Sequence, residues 1–184
     1  MANFYREYFQ TMNDCLIKVD HDLLNQSVNI INDSIKKGKK IIVVGNGGSA
    51  AMASHVAVDF TKAAGIRAVT FNEADLLTCF GNDYGYENWV EKALGCYADA
   101  GDLVILISSS GKSPNIINGA IKAREMGLKI ITLSGFNNDN PLRDLGDINL
   151  WADSDSYNVV EMTHHIWLVG LVDHIIALKS KLLK

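Results

Sequence analysis

Two short stretches of the sequence concentrate groups suited to holding an anion. Ser108-Ser109-Ser110-Gly111-Lys112-Ser113-Pro114 gathers four serine hydroxyls around one glycine and runs straight into a helix start. Hydroxyls and the free backbone N–H groups of a helix N-terminus together make a cradle for a phosphate dianion that needs no arginine. A plainer reading, a surface turn with Ser113 as the helix N-cap, is compatible with it. Gly45-Asn46-Gly47-Gly48-Ser49 is the second stretch, with three glycines in four residues. Such a turn lets a ligand approach the backbone closely, and the helix that follows aims its positive end at the same place. Two familiar nucleotide motifs compete for these residues. Gly45-x-Gly47-x-x-Ala50 fits the dinucleotide fingerprint, with Glu73 as the ribose contact, but leaves the serine loop unexplained. Gly111-Lys112-Ser113 resembles the end of a P-loop, yet Leu106 stands where that motif needs its first glycine. No nucleotide cofactor is expected.

These loops need a scaffold, and the flanking pattern supplies one. Short runs rich in Ile and Val stand at 41–44, 68–71, 103–107, 129–133 and 147–151. They are β-branched and mostly non-alternating, as strands buried on both faces are. Helical segments lie between them, at 49–62 with a serine cap and at 113–126. The second has Pro114 in its first turn and Gly127 just beyond its end, the usual signs of start and stop. The alternation predicts βαβ units and a parallel sheet, with ligands at the carboxyl ends of the strands. Both special loops follow strands of that sheet. Further helices are predicted at 4–15, 22–37 and from 159 to the end. The last carries apolar residues on most of its surface, which predicts burial on all sides and packing against another copy of the chain.

The whole chain, 1–184, reads as one domain: N-terminal helices over 1–38, an α/β core over 39–152 and a C-terminal helix over 157–184. Hydrophobic residues make up 48% and charged residues 21% of it, which predicts a packed core. A net charge of −4 offers no general attraction to nucleic acid or to an anionic membrane, and neither is expected as a direct partner. The opening MANFYREYFQ lacks the apolar run of a signal peptide. Cys15, Cys79 and Cys96 are scattered singly, which fits reduced thiols and a cytoplasmic location.

Taken together, VVGNGGSAA at 43–51, CFGNDYG at 79–85, ISSSGKSPN at 107–115 and AREMGLKIITLSG at 123–135 resemble the sugar isomerase (SIS) domain family, and its phosphoheptose isomerases in particular. The motifs occur in the family's order and spacing, and the resemblance covers most of the chain. It implies a three-layer α/β sandwich around a five-stranded parallel sheet. It implies phosphate held by Ser108, Ser109, Ser110 and Ser113, and sugar contacts from Asn46, Gly47, Gly48, Ser49 and Asp83. It further implies a homotetramer with sites at subunit contacts. The implied reaction is aldose–ketose isomerisation of sedoheptulose 7-phosphate or a related sugar phosphate, serving surface polysaccharide synthesis. A binding protein of the same fold that does no chemistry, like the replication-initiation regulators, is the alternative.

The family's catalytic set is matched only in part. A His and a Glu one turn apart correspond here to His55 and Asp59, which share a helix face at i, i+4. The family's Gln and His on the last helix fall, without gaps, on Val160 and Leu168, which can neither bind a metal nor move a proton. Glu161 and His164 are the nearest replacements. His164 lies one turn from both Val160 and Leu168 and is expected to reach the pocket in place of the absent histidine. A histidine hydrogen-bonded within an interface is the other reading of it, and both stay open. If a divalent metal binds, His55, Asp59 and His164 are its expected ligands, a set that suits zinc. If none binds, Glu161 or Asp59 is the base and His164 serves the oxygens. His165 is read as an interface residue, and His21 and His174 as surface or interface residues.

Overall fold

The computed structural model of the protein describes residues 3–182; the ends of the expected 1–38 and 157–184 segments, residues 1, 2, 183 and 184, lie outside the described residues. Helices α1 (Phe4–Ile17) and α2 (His21–Lys36) lead into β1 (Ile41–Gly45), α3 (Gly48–Lys62) and β2 (Ala68–Thr70). Helices α4 (Ala74–Tyr84) and α5 (Trp89–Tyr97) precede β3 (Leu103–Ser108) and α6 (Pro114–Glu125). The chain closes with β4 (Lys129–Ser134), a 3₁₀ turn at Pro141–Asp144, β5 (Ile148–Trp151) and the long α7 (Tyr157–Leu182).

All five strands are parallel, in the order β2-β1-β3-β4-β5. The expected parallel α/β sheet is therefore present, and each expected strand is found within a residue or so of its predicted ends. Side chains alternate along the central strands between two cores. Ile41, Val43, Leu103, Ile105 and Ile107 pack against α1, α2, α3 and α7. Ile42, Val44, Val104 and Leu106 pack against α5 and α6. Every residue of β1 and β3 is buried, which is why their sequences read as continuous apolar runs.

Strand order reverses between β1 and β3. The glycine loop follows β1 and the serine loop follows β3, so both stand at the carboxyl edge where the reversal opens a crevice. The far end of the same strands is fixed by Asp102, which is 1% exposed; its carboxylate accepts from the Lys40 and Asp99 backbone N–H groups at 3.0 and 2.8 Å and pairs with Lys40 Nζ at 2.5 Å. Between α3 and β3 the chain forms two helices, α4 and α5, that the sequence reading leaves unassigned. No residue of α4 is buried.

Candidate functional site

The two loops meet at a pocket of about 120 Å³ lined by Asn46, Ser49, Ile107, Ser108, Ser109, Ser110, Ser113, Tyr157 and Glu161. Larger clefts exist, including one of about 500 Å³ beside α4, but their walls are mostly apolar and bring no comparable set of hydroxyls together. Glu73, the ribose contact of the dinucleotide reading, lines that α4 cleft and not the serine pocket.

Ser113 occupies the N-cap position of α6, but its hydroxyl makes no capping bond. It is shared instead with the Ser108 hydroxyl at 3.0 Å. Pro114 carries no N–H, and the Ile116 and Ile117 N–H groups donate to the Ser113 carbonyl at 3.1 and 3.0 Å, so the first turn offers a ligand the Asn115 N–H together with the dipole's positive end. Ser110 Oγ accepts from the Lys112 N–H at 3.3 Å, and the Ser109 carbonyl accepts from the Gly135 N–H at 2.8 Å, so the loop is tied to the end of β4. An amide clasp joins it to the glycine loop: Asn46 Nδ2 donates to Asn115 Oδ1 at 3.0 Å, and Asn115 Nδ2 donates to Asn46 Oδ1 at 2.9 Å. Tyr86 adds its hydroxyl to Asn46 Oδ1 at 3.1 Å.

On the glycine side the expected serine cap is corrected. Gly47, at φ +54°, is the N-cap of α3, and Ser49 lies inside the first turn, 3% exposed and facing the pocket. Gly48 opens the helix with a different constraint. A Cβ there would collide with the carboxylate of Glu161, at 2.8 Å from its Cδ. Glycine at 48 thus lets a carboxylate from α7 lie against the N-terminal end of α3.

Helix α7 contributes by a stripe. Tyr157 and Glu161 line the pocket, and His165, one turn further, meets α3. His55 Nε2 lies 3.2 Å from Asp59 Oδ2, and His55 Nδ1 lies 2.8 Å from His165 Nε2. If Nε2–H of His55 donates to Asp59, its Nδ1 accepts from His165. Burial and the neighbouring His55 together hold the His165 pKa below the ordinary histidine value.

His164 is not part of this group, which corrects its placement. It is 0% exposed, donates from Nε2 to the Ser134 carbonyl at 2.9 Å and leaves Nδ1 without a partner. Burial pushes its pKa down to about 4, so it is neutral at ordinary pH. It braces the end of β4 from behind. Val160 and Leu168, also 0% exposed, lie on the same inward stripe. Consequently the expected His55–Asp59–His164 zinc set does not assemble, and among the described residues no group of three or more His, Cys, Asp or Glu is placed to hold a metal. Asp83 stands exposed on α4, near Asn82 and Cys79, and does not line the pocket. Exposed His21 and His174 line a separate cleft between α2 and α7.

Tyr157 is the site residue the sequence reading misses. Its signal was the spacing Tyr157, Glu161, His165, a polar i, i+4, i+8 stripe on an otherwise apolar helix.

Known proteins match this chain along most of its length. The SIS domain family model matches residues 5–135. Phosphoheptose isomerases of Aliarcobacter butzleri and Helicobacter pylori are 35% and 31% identical, covering 81% and 83% of this chain and 82% of each relative. The structure of a phosphoheptose isomerase from Neisseria gonorrhoeae superposes with a TM-score of 0.87 at 27% identity, over 96% of both chains.

Proposed function

This chain belongs to the SIS domain family, among the phosphoheptose isomerases, and from that premise we propose that it is a sugar-phosphate isomerase that interconverts a ketose phosphate and its aldose. The observation that carries the reading is the sharing of one pocket by a serine cradle at the start of α6 and the Glu161 carboxylate at the start of α3. The first suits a phosphate, and the second suits a base.

Sedoheptulose 7-phosphate, going to an aldose heptose 7-phosphate, is the substrate we assign. Ser108, Ser109, Ser110 and Ser113 hold its phosphate. Glu161 removes a proton from C1, and the electron pair moves into an enediolate across C1 and C2. The Ser49 hydroxyl and the N–H groups of the first α3 turn stabilise the charge on oxygen, as donors fixed in place before the reaction. As the O1 proton passes to O2, return of the abstracted proton to C2 closes the C1 aldehyde and gives the aldose. The imidazoles of His165 and His55, with Asp59 behind them, flank Glu161 along the α3–α7 contact and serve the oxygens. No nucleotide enters this scheme.

The active form is an oligomer in this reading, a homotetramer. Support comes from apolar side chains left in water on one chain: Phe4, Tyr5 and Phe9 of α1, 63%, 69% and 64% exposed, and Met162 and Ile166 of α7, 43% and 47% exposed. No helix among the described residues is long and apolar enough to cross a membrane, which is compatible with a cytoplasmic enzyme feeding surface polysaccharide synthesis.

The direct test is to mix the protein with sedoheptulose 7-phosphate and follow the aldehyde-derived anomeric proton by NMR. Appearance of the aldose supports the assignment. Tight binding without turnover would instead make the chain a sugar-phosphate-binding module.

A further inference from the structure

The serine pocket is too small for a whole phosphosugar. Its volume of about 120 Å³ is well below the roughly 300–1,000 Å³ typical of sites that enclose a small molecule. It seats one end of the ligand, and the carbon chain must leave through the mouth. Tyr157 stands at that mouth. It is the first residue of α7, lines the pocket, and is 59% exposed. A large exposed aromatic ring beside a polar cavity has an apolar face to offer and a hydroxyl to donate.

The ring is not left to swing freely. Phe136 packs against it, with centroids 4.8 Å apart and planes at 58°. Phe136 has φ +54°, the one positive φ at a non-glycine position among the described residues. An aromatic residue is seldom found there, and such conformations persist where surrounding bonds enforce them. Here they do. The Phe136 N–H donates to the Ser154 carbonyl at 2.9 Å, and Trp151 Nε1 donates to the Phe136 carbonyl at 3.3 Å. Preceding Gly135 is bonded to the serine loop itself, through the Ser109 carbonyl. A strained turn anchored to the phosphate cradle therefore sets the angle of the ring over the exit.

We propose that Tyr157 is a specificity-determining residue, whose ring forms the platform on which the carbon chain of a phosphosugar lies as it leaves the phosphate cradle. Phe136 is the positioning residue that holds the platform. The inference rests on the sugar-phosphate reading of the pocket and adds the residue that tells a phosphosugar from a bare phosphate. The C–H face of an extended sugar chain meets the ring, and the phenol hydroxyl reaches a sugar hydroxyl at the rim.

Calorimetry with sedoheptulose 7-phosphate and inorganic phosphate, on the full chain, tests this. Tyr157→Ala should weaken phosphosugar binding by about tenfold, and Tyr157→Phe by about threefold, by loss of stacking plus a hydrogen bond and of the bond alone. Inorganic phosphate affinity should change by less than about twofold, since phosphate does not reach the platform. Phe136→Ala should weaken phosphosugar binding in the wild-type background and have no further effect in Tyr157→Ala, because it acts through that ring. Additive losses would overturn the positioning role. A wild-type preference for phosphosugar over phosphate that survives Tyr157→Ala would overturn the platform while leaving the sugar-phosphate site intact. No preference in the wild-type protein would overturn both. Should Phe136→Ala fail to fold, the exposed Tyr157 variants decide the matter alone.

Discussion

A single methyl group placed at residue 48 should separate catalysis from folding. The backbone at Gly48 is helical and would accept alanine, but the new Cβ would stand 2.8 Å from Cδ and 3.0 Å from Oε1 of Glu161, with Oε2 closer still. Carbon and oxygen settle at roughly 3.5 Å, so the carboxylate must retreat by about 1 Å. A shift of about 1 Å in a reacting group costs on the order of 100-fold in rate. Stability should hardly fall, because alanine gains up to about 1 kcal/mol over glycine within a helix and Glu161 is half-buried with room to move. The assay is turnover of sedoheptulose 7-phosphate beside thermal unfolding and phosphate binding. Gly48→Ala should lose about two orders of magnitude in kcat, keep its phosphate affinity and unfold within a few degrees of wild type. In a Glu161→Gln background the same change should cost nothing further, since the carboxylate it displaces is already gone. Wild-type turnover in Gly48→Ala would refute the placement of Glu161 as the base.

Other consequences follow from the same geometry. Removing the Ser110 and Ser113 hydroxyls together, as the double alanine variant, should weaken phosphosugar binding by roughly 1.5–3 kcal/mol per charge-assisted bond lost, and unchanged calorimetric affinity would disprove the cradle. His164 should impose an acid limit on stability. Its folded pKa of about 4 lies below the unfolded 6.5, so the unfolded chain binds the extra proton between those values. Stability should therefore fall as pH drops from about 6.5 to 4, by roughly 3 kcal/mol from this group, and urea titrations of His164→Gln should show that part of the slope removed. Asp102→Ala leaves the Lys40 and Asp99 backbone N–H groups without their acceptor and Lys40 Nζ with the exposed Asp99 carboxylate alone, at 2.7 Å. It should destabilise the fold by about 3–5 kcal/mol, measured by denaturant midpoint, without altering phosphate affinity at the opposite end of the strands.

The sheet was legible because buried parallel strands leave continuous Ile and Val runs, and the two loops because glycine and serine clusters have few other uses after a strand. Helices α4 and α5 were not. Helix α4 has no buried residue and only 11 residues, and α5 spans only nine. The choice between His164 and His165 failed for a related reason. A helix apolar on nearly every side does not announce which stripe faces the site. The ungapped match put the family's Gln and His on Val160 and Leu168, which lie with His164 on the stripe facing the core. One residue later the first of those positions holds Glu161, against Gly48 and in the pocket. Tyr157 shares the Glu161–His165 spacing, but the turn at Phe136 that packs against its ring has a positive φ, which leaves no mark in the sequence.

Deuterium exchange tests the central claim most directly. Sedoheptulose 7-phosphate is incubated with the protein in D₂O, and the C1 and C2 positions are read by NMR. The account predicts that the wild-type protein forms aldose carrying deuterium at C2, whereas Glu161→Gln binds the sugar phosphate with similar affinity and leaves the carbon-bound protons in place. Exchange by Glu161→Gln at the wild-type rate, or tight binding by the wild-type protein with no exchange at either carbon, would contradict it.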